Sequence, residues 1–354
     1  MVPLVIGIAA GAYVTLGART DPQSVKNADV RQSVISRSHV WHPTDVSTMN
    51  LKVGPQGPGA FTFHETVLCD YVDKNLGGHS PKFVCAIGKD DQVKVKYGKS
   101  NGEVYGEVLS TRLLWALGFG ANPMYPVNVV CRGCPSALGG IERPGHERQF
   151  DPAVIERRAP EIEWPSHGKP GWSWQELELV TSSAGGAPRA HRDAFKLLAV
   201  FIQHTDSKSE QQSIICSSPP RSRSPEVCDQ PFLIISDLGM TFGRANHTNA
   251  ASTGSVNLVE WRRTPVWKSE KGCEGNLPKS FTGTLENPVI SEEGRRFFAD
   301  LLLQLSETQI RDLFDAARVE LLSRAPGEAG SATIAEWVDA FIAKRAQIVG
   351  RHCM

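Results

Sequence analysis

Four short stretches of the chain carry the residue types and spacings that phosphoryl-transfer chemistry requires. The first is Leu76-Gly-Gly-His-Ser-Pro-Lys-Phe83, a glycine-rich turn entering a strand. There Gly77, Gly78 and Ser80 would let backbone N–H groups approach phosphate oxygens. The second sets Lys94 and Lys96 on the next strand and Glu103 and Glu107 on the following helix. A strand cation held by a helix carboxylate suits nucleotide phosphates. The third, Gln203-His-Thr-Asp-Ser-Lys-Ser-Glu-Gln-Gln212, follows a helix. Asp206 would orient an attacking hydroxyl or accept its proton, Lys208 would neutralise the transferring phosphoryl group, and Gln211 would offer an amide oxygen to a metal. The fourth, Ile234-Ile-Ser-Asp-Leu-Gly-Met-Thr-Phe-Gly243, ends an apolar strand on Asp237, whose carboxylate suits a hard cation. Each stretch alone also fits a plain turn, a solvated charged face or a helix cap. Their common order is what joins them.

The elements that must position these groups are readable from periodicity. Lys82–Ile87, the turn Gly88-Lys-Asp-Asp91 and Gln92–Tyr97 predict a hairpin, its second strand alternating Val93, Val95 and Tyr97 against Gln92, Lys94 and Lys96. Because Lys94 and Lys96 point the same way, the pattern does not separate them. A helix is expected over about 102–117, stopped by Gly118, and another over about 191–203 with Ala194, Leu197, Leu198 and Phe201 as its apolar stripe. Gln230–Ser236 reads as a buried strand. Capping boxes at Ser306 to Gln309 and Thr333 to Glu336 announce two late helices, Ile310–Leu322 and Trp337–Val349. Residues 138–189 read as irregular. Within them Trp172 and Trp174 fit either a groove lining or a packed core.

The 354 residues, 40% hydrophobic and 21% charged, can build a sizeable core. With 38 basic and 38 acidic residues, overall charge gives no argument for nucleic acid as partner. The 10 histidines show no HxxxH or HxH spacing, and neither GxSxG nor a complete Walker A occurs. Zinc hydrolases, common serine hydrolases and P-loop enzymes are therefore unsupported. Val2–Ala18 is apolar and uncharged, which fits a signal peptide or short membrane anchor and hence an extracytoplasmic place; a buried element is the other reading. Residues 19–59, rich in Ser, Pro and Gly, read as a flexible linker. The 8 cysteines allow disulfides, with Cys216 and Cys228 closing a loop-like insert, while Cys131 and Cys134 form a CxxC that also suits half a zinc site.

The ordered set of glycine-rich turn, strand lysine, helix glutamate, HTDSKSEQQ and SDLGMTFG resembles an atypical member of the protein-kinase-like fold. It is similar to the lineage of phosphatidylinositol kinases, HipA-type toxin serine kinases and secretory-pathway kinases of the Golgi casein kinase type. It is similar also to uncharacterised bacterial proteins with comparable LLWALGFGA, HTDxK and NLPKSFTGTL strings. The resemblance spans about Gly77 to Gly243. It implies an α+β, two-lobed fold: a small β-rich N-lobe over 60–126 and a larger, mainly helical C-lobe over 127–349 carrying the Cys216–Cys228 insert. It further implies ATP with Mg²⁺ or Mn²⁺, Lys96 or Lys94 on the phosphates with Glu107 as partner, Asp206 as the catalytic-loop aspartate, and Asp237 as the metal aspartate. Gln211 stands where kinases usually carry Asn, the Asp206–Asp237 interval is long, and the glycine loop is sparse. An active phosphotransferase acting on a hydroxyl of a protein, carbohydrate or small molecule, an inert kinase-like binding protein, and a disulfide-stapled structural protein are the readings this leaves.

Overall fold

The alternation read in the second strand folds as a hairpin. In the computed structural model, which describes residues 22–164, 171–243, 255–322 and 332–353, β2 (Lys82–Gly88) pairs antiparallel with β3 (Asp91–Tyr97). β1 (Thr66–Val72) lies antiparallel to β2 on its other edge, and β5 (Met124–Arg132) runs parallel to β1. β7 (Glu147–Glu156) then pairs with both β5 and β3, closing the order β3-β2-β1-β5-β7 into a barrel on which β6 (Ile141–Arg143) hangs as a short sixth strand. Val67, Cys69, Phe83, Val95 and Phe150 fill its interior. Lys82 and Lys96 are register partners, as are Val84 and Lys94, so all three lysines share the outer face.

Against the barrel packs α2 (Gly102–Ala116), in contact with β3, β5 and β7. The Asn101 side chain caps it by accepting the Glu103 N–H, and Val104, Val108, Leu113 and Leu114 are buried. A second core forms around α3 (Arg189–Phe201), whose predicted stripe of Ala194, Leu197, Leu198 and Phe201 is fully buried. It meets α5 (Glu292–Leu303), while α6 (Glu307–Ala316) and α7 (Ile334–Val349) start at the expected capping boxes. The short α4 (Leu258–Arg263) adds Trp261 to a cluster with Phe314 and Trp337. A three-stranded sheet in the order β4-β9-β8 joins β4 (Gly120–Ala121), β9 (Gln230–Ile235) and β8 (Gln212–Ser218). Trp172 and Trp174 are both core residues, Trp172 donating its indole N–H to the carbonyls of Ser213 and Ile234.

Three expectations change. The stretch read as a linker is built into the fold: α1 (Pro22–Ser36) opens the described chain, and Val34, Ile35, Val40, Val46 and Leu51 are buried. The Arg112 guanidinium donates to the carbonyls of Leu51 and Lys52, and the Gln309 amide to those of Val46 and Met49. Its apolar residues lack a regular period, so composition misleads there. The boundary at 126/127 also cuts β5, and the barrel runs on to Glu156 at the end of β7. β7 was hidden in the stretch read as irregular because Pro152 and four charged residues interrupt its pattern. The zinc reading falls, since Cys131 pairs with Cys134 and every cysteine is in a disulfide. The expected signal or anchor segment, 1–18, lies outside the described residues. Among the described residues no helix is long and apolar enough to cross a membrane.

The other bridges are Cys69–Cys85, joining β1 to β2, Cys216–Cys228, closing the insert as expected, and Cys273–Cys353. Four such pairs fit an oxidising environment. Their sequence separations rank their value, because a longer closed loop removes more freedom from the unfolded chain. Cys273–Cys353 spans 80 residues and Cys131–Cys134 only 3. Replacing the first pair by serine should cost about 4 kcal/mol and the second about 2 kcal/mol or less. Denaturant melts of the two double variants check the ranking, and the reverse order would reject it.

Candidate functional site

Lys96 is the centre of the site. The side chain is fully buried under α2, and its Nζ lies 2.7 Å from Glu103 Oε2, 2.5 Å from Glu107 Oε1 and 3.4 Å from Asp237 Oδ1. One helical turn separates Glu103 from Glu107, so both face β3 from the same side of α2. The three carboxylates come within 4.8 Å of one another, a grouping that would suit a metal ion. The lysine ammonium bonds to all three and so takes that place.

The turn after β9 is locked to α2. The Leu238 N–H donates to Glu107 Oε2 at 3.2 Å, and the Gly239 N–H donates to Asp237 Oδ1 at 3.2 Å. Ser110 and Thr241 share a 2.8 Å hydroxyl hydrogen bond beside it. Close approach is possible only because two glycines meet there. A Cβ on Gly106 would stand 2.7 Å from the Gly239 carbonyl oxygen, and one on Gly239 would stand 2.6 Å from Glu103 Cγ.

Burial pushes the Glu107 carboxyl up to about 8 against the pull of Lys96. Burial acts against charge on Lys96 too, but the surrounding carboxylates of Asp237, Glu107 and Glu103 outweigh it and hold the ammonium well above its ordinary value. Burial likewise opposes ionisation of Asp237, and Lys96 with Lys94 overcomes it, so this carboxylate stays below its ordinary range.

Asp206 follows α3 through His204 and Thr205 and is buried. Its Oδ2 accepts the Gln211 amide at 2.7 Å and lies 3.3 Å from Lys208 Nζ, while Oδ1 accepts the Ser280 hydroxyl at 3.3 Å. The loop bearing Ser280 is pinned to the same segment. Ser280 N–H donates to the Thr205 carbonyl, and the Thr284 and Leu285 N–H groups donate to Ser207 Oγ. Gln211 immediately precedes β8 and its carbonyl accepts the Ser236 N–H at 2.8 Å, so it stands opposite the residue before Asp237. Its Oε1 is buried with no hydrogen-bond partner among the described residues. An unpartnered amide oxygen and, one residue past its cross-strand neighbour Ser236, the partly exposed Asp237 carboxylate are oxygen donors of the kind a hard divalent cation would take.

Of the two lysines left undivided by the sequence, Lys96 reaches Asp237. Lys94 instead pairs with Glu156 on β7. Gly77, Gly78 and Ser80 lie on the connection from β1 to β2, Gly78 at φ +87°. Glu103 shares Lys96 with Glu107. The part played by Ser280 was not readable, since it lies 74 residues beyond Asp206.

No protein-family model matches the chain, and no curated protein matches it in sequence. A solved kinase resembles it. The crystal structure of a Helicobacter pylori proinflammatory kinase, CtkA, aligns with a TM-score of 0.41 at 8% identity, covering 81% of this chain and 94% of that one. The residue geometry above is independent of that likeness.

His204 offers a direct check on the buried surroundings of Asp206. Burial brings its imidazole down to about 4, against the opposing pull of Asp206 and Asp237, and among the described residues neither ring nitrogen has a hydrogen-bond partner. The neutral ring is therefore favoured by folding. That contribution is complete above pH 6.5 and disappears as pH falls through 4. Between pH 7 and pH 5 the wild type should lose about 2 kcal/mol from this group alone. His204→Phe should remove that component from urea melts at the two pH values; an unchanged difference would mean the ring titrates normally.

Proposed function

We propose that the chain is a kinase-like phosphotransferase using ATP and a divalent cation. In this reading the barrel with α2 is the smaller lobe of a two-lobed fold and the helical core is the larger. The observation that carries it is the Lys96–Glu107–Asp237 network, which ties a strand cation to a carboxylate that directly follows Ser236, the residue facing Gln211. Asp206 is the group that faces the acceptor. Its carboxylate takes the proton of an acceptor hydroxyl as the new oxygen–phosphorus bond forms and the bond to the departing ADP breaks. Lys208, 3.3 Å from it, screens the phosphoryl charge. A bound Mg²⁺ or Mn²⁺ would neutralise the phosphates, held by Asp237 and Gln211. The acceptor hydroxyl would replace Ser280 on Oδ1. The four disulfides support an extracytoplasmic setting for this chemistry.

A second reading rests on Asp206 itself. Both its oxygens are already engaged, by Gln211 and Ser280, as in a scaffold that binds nucleotide without transferring phosphate. Two variants separate the readings. ATP with Mg²⁺ at 100 times the dissociation constant should stabilise the wild type by about 2.7 kcal/mol, and Asp237→Ala should lose the metal-dependent shift in a thermal melt. Asp206→Ala should keep the shift and lower ATP turnover by a factor of about 10² to 10⁴. Turnover untouched by Asp206→Ala would reject the role given to Asp206, whereas turnover absent in the wild type despite nucleotide binding supports the inert scaffold. The absence of any nucleotide-dependent shift in folded wild type would reject both.

A further inference from the structure

We infer that Lys82, at the first position of β2, is the cation that meets the nucleotide's terminal phosphates, while Lys96 is a positioning residue; this rests on the nucleotide-binding reading above. Three lysines share the outer face of the hairpin, and their partners differ. Lys96 is enclosed by three carboxylates, and Lys94 is held by Glu156. The ammonium of Lys82, directly across from Lys96, has no ion pair or hydrogen bond among the described residues. It is nevertheless half-buried, and burial followed by the like charge of Lys96 brings its ammonium below the ordinary value, against the opposing carboxylates of Glu103 and Asp237. A half-buried cation without a partner lacks the compensation that such burial requires.

The immediate surroundings of Lys82 are those of an anion subsite. Its Nζ lies against Gly78, where a Cβ would come within 2.8 Å of it, and Gly78 holds the left-handed φ of +87° that favours glycine. Two residues before Lys82, Ser80 is buried at 8% exposure and its hydroxyl has no hydrogen-bond partner among the described residues. The Gly78 turn with its backbone N–H, a hydroxyl and an ammonium, the last two unpartnered among the described residues, thus occur within positions 78–82. Each is a donor, and a phosphate oxygen is an acceptor that would satisfy them all. Lys96 cannot serve in the same way without giving up contacts that its own burial requires.

The test is calorimetric titration of the full chain with MgATP and with adenosine, which lacks phosphates. Lys82→Met should raise the Kd for MgATP about tenfold or more and leave that for adenosine within about twofold, a tenfold change being what one ordinary charge-assisted contact supplies. Lys82→Arg, which keeps a cation on the strand, should retain MgATP affinity within about threefold and shows that the position tolerates replacement. Equal MgATP affinity in wild type and Lys82→Met would overturn the assignment, as would a parallel loss for adenosine. Wild type that binds neither ligand rejects the nucleotide site as a whole, a failure distinct from the other two.

Discussion

A buried ammonium must be answered by carboxylates, and Lys96 is the point on which the arrangement turns. Taking one charged amine out of water costs several kcal/mol unless well-placed partners offset it. Here they come from two elements far apart in sequence: α2 brings Glu103 and Glu107, and the turn after β9 brings Asp237. Lys96 is satisfied only when the barrel, α2 and the β8–β9 sheet have all come together. The contact also fixes how closely they meet, because Gly106 and Gly239 leave no room for a side chain between helix and turn. Glu107 is the most buried of the three carboxylates, and burial, with a lesser push from Asp237, raises its carboxyl against the pull of Lys96.

Asp206 belongs to a different kind of environment. It is fixed by neutral donors, an amide and a hydroxyl, with one lysine at the edge. Donors that are themselves held, Gln211 through its carbonyl by the Ser236 N–H and Ser280 by the Thr205 carbonyl, keep the carboxylate in one orientation. The exposed ring of Phe281 follows Ser280 directly, so the loop offers an apolar surface next to the carboxylate it orients. Asp206 and Lys96 are thus held by separate networks, linked through the short stretch where Gln211 faces Ser236.

Much of this was readable because it is local. The hairpin, the capped helices, the buried stripe of α3 and the Cys216–Cys228 loop all follow from residues near one another in the chain. The alternation that placed Lys94 and Lys96 on one face was correct. What separates them is Glu156, which reaches Lys94 only because β7 returns to pair with β3 and close the barrel. The same non-local closure hid the end of the barrel behind a Pro-containing strand. Residues 34–51 were unreadable for another reason. Their buried apolar residues are spread over the end of α1 and the irregular chain after it, whose carbonyls at Val46 and Leu51 are held by Gln309 and Arg112, so no single period runs through them. Ser280 lies in the NLPKSFTGTL string, whose residues do not say that one of them meets Asp206 from 74 positions away.

Closure of the barrel also decides how another chain can be recognised. In the order β3-β2-β1-β5-β7 each strand has neighbours on both sides, so none offers a row of free backbone donors and acceptors. The appended β6 is three exposed residues, two of them charged. In the smaller sheet, β8 has its outer edge covered where Ile162 donates to the Ile214 carbonyl. Strand addition, the commonest way for an extended peptide to be gripped through its backbone, therefore finds little to extend among the described residues. A polypeptide partner would be selected through its side chains, by surfaces such as the loop around Phe281, and composition at a few positions would govern recognition more than an extended shape.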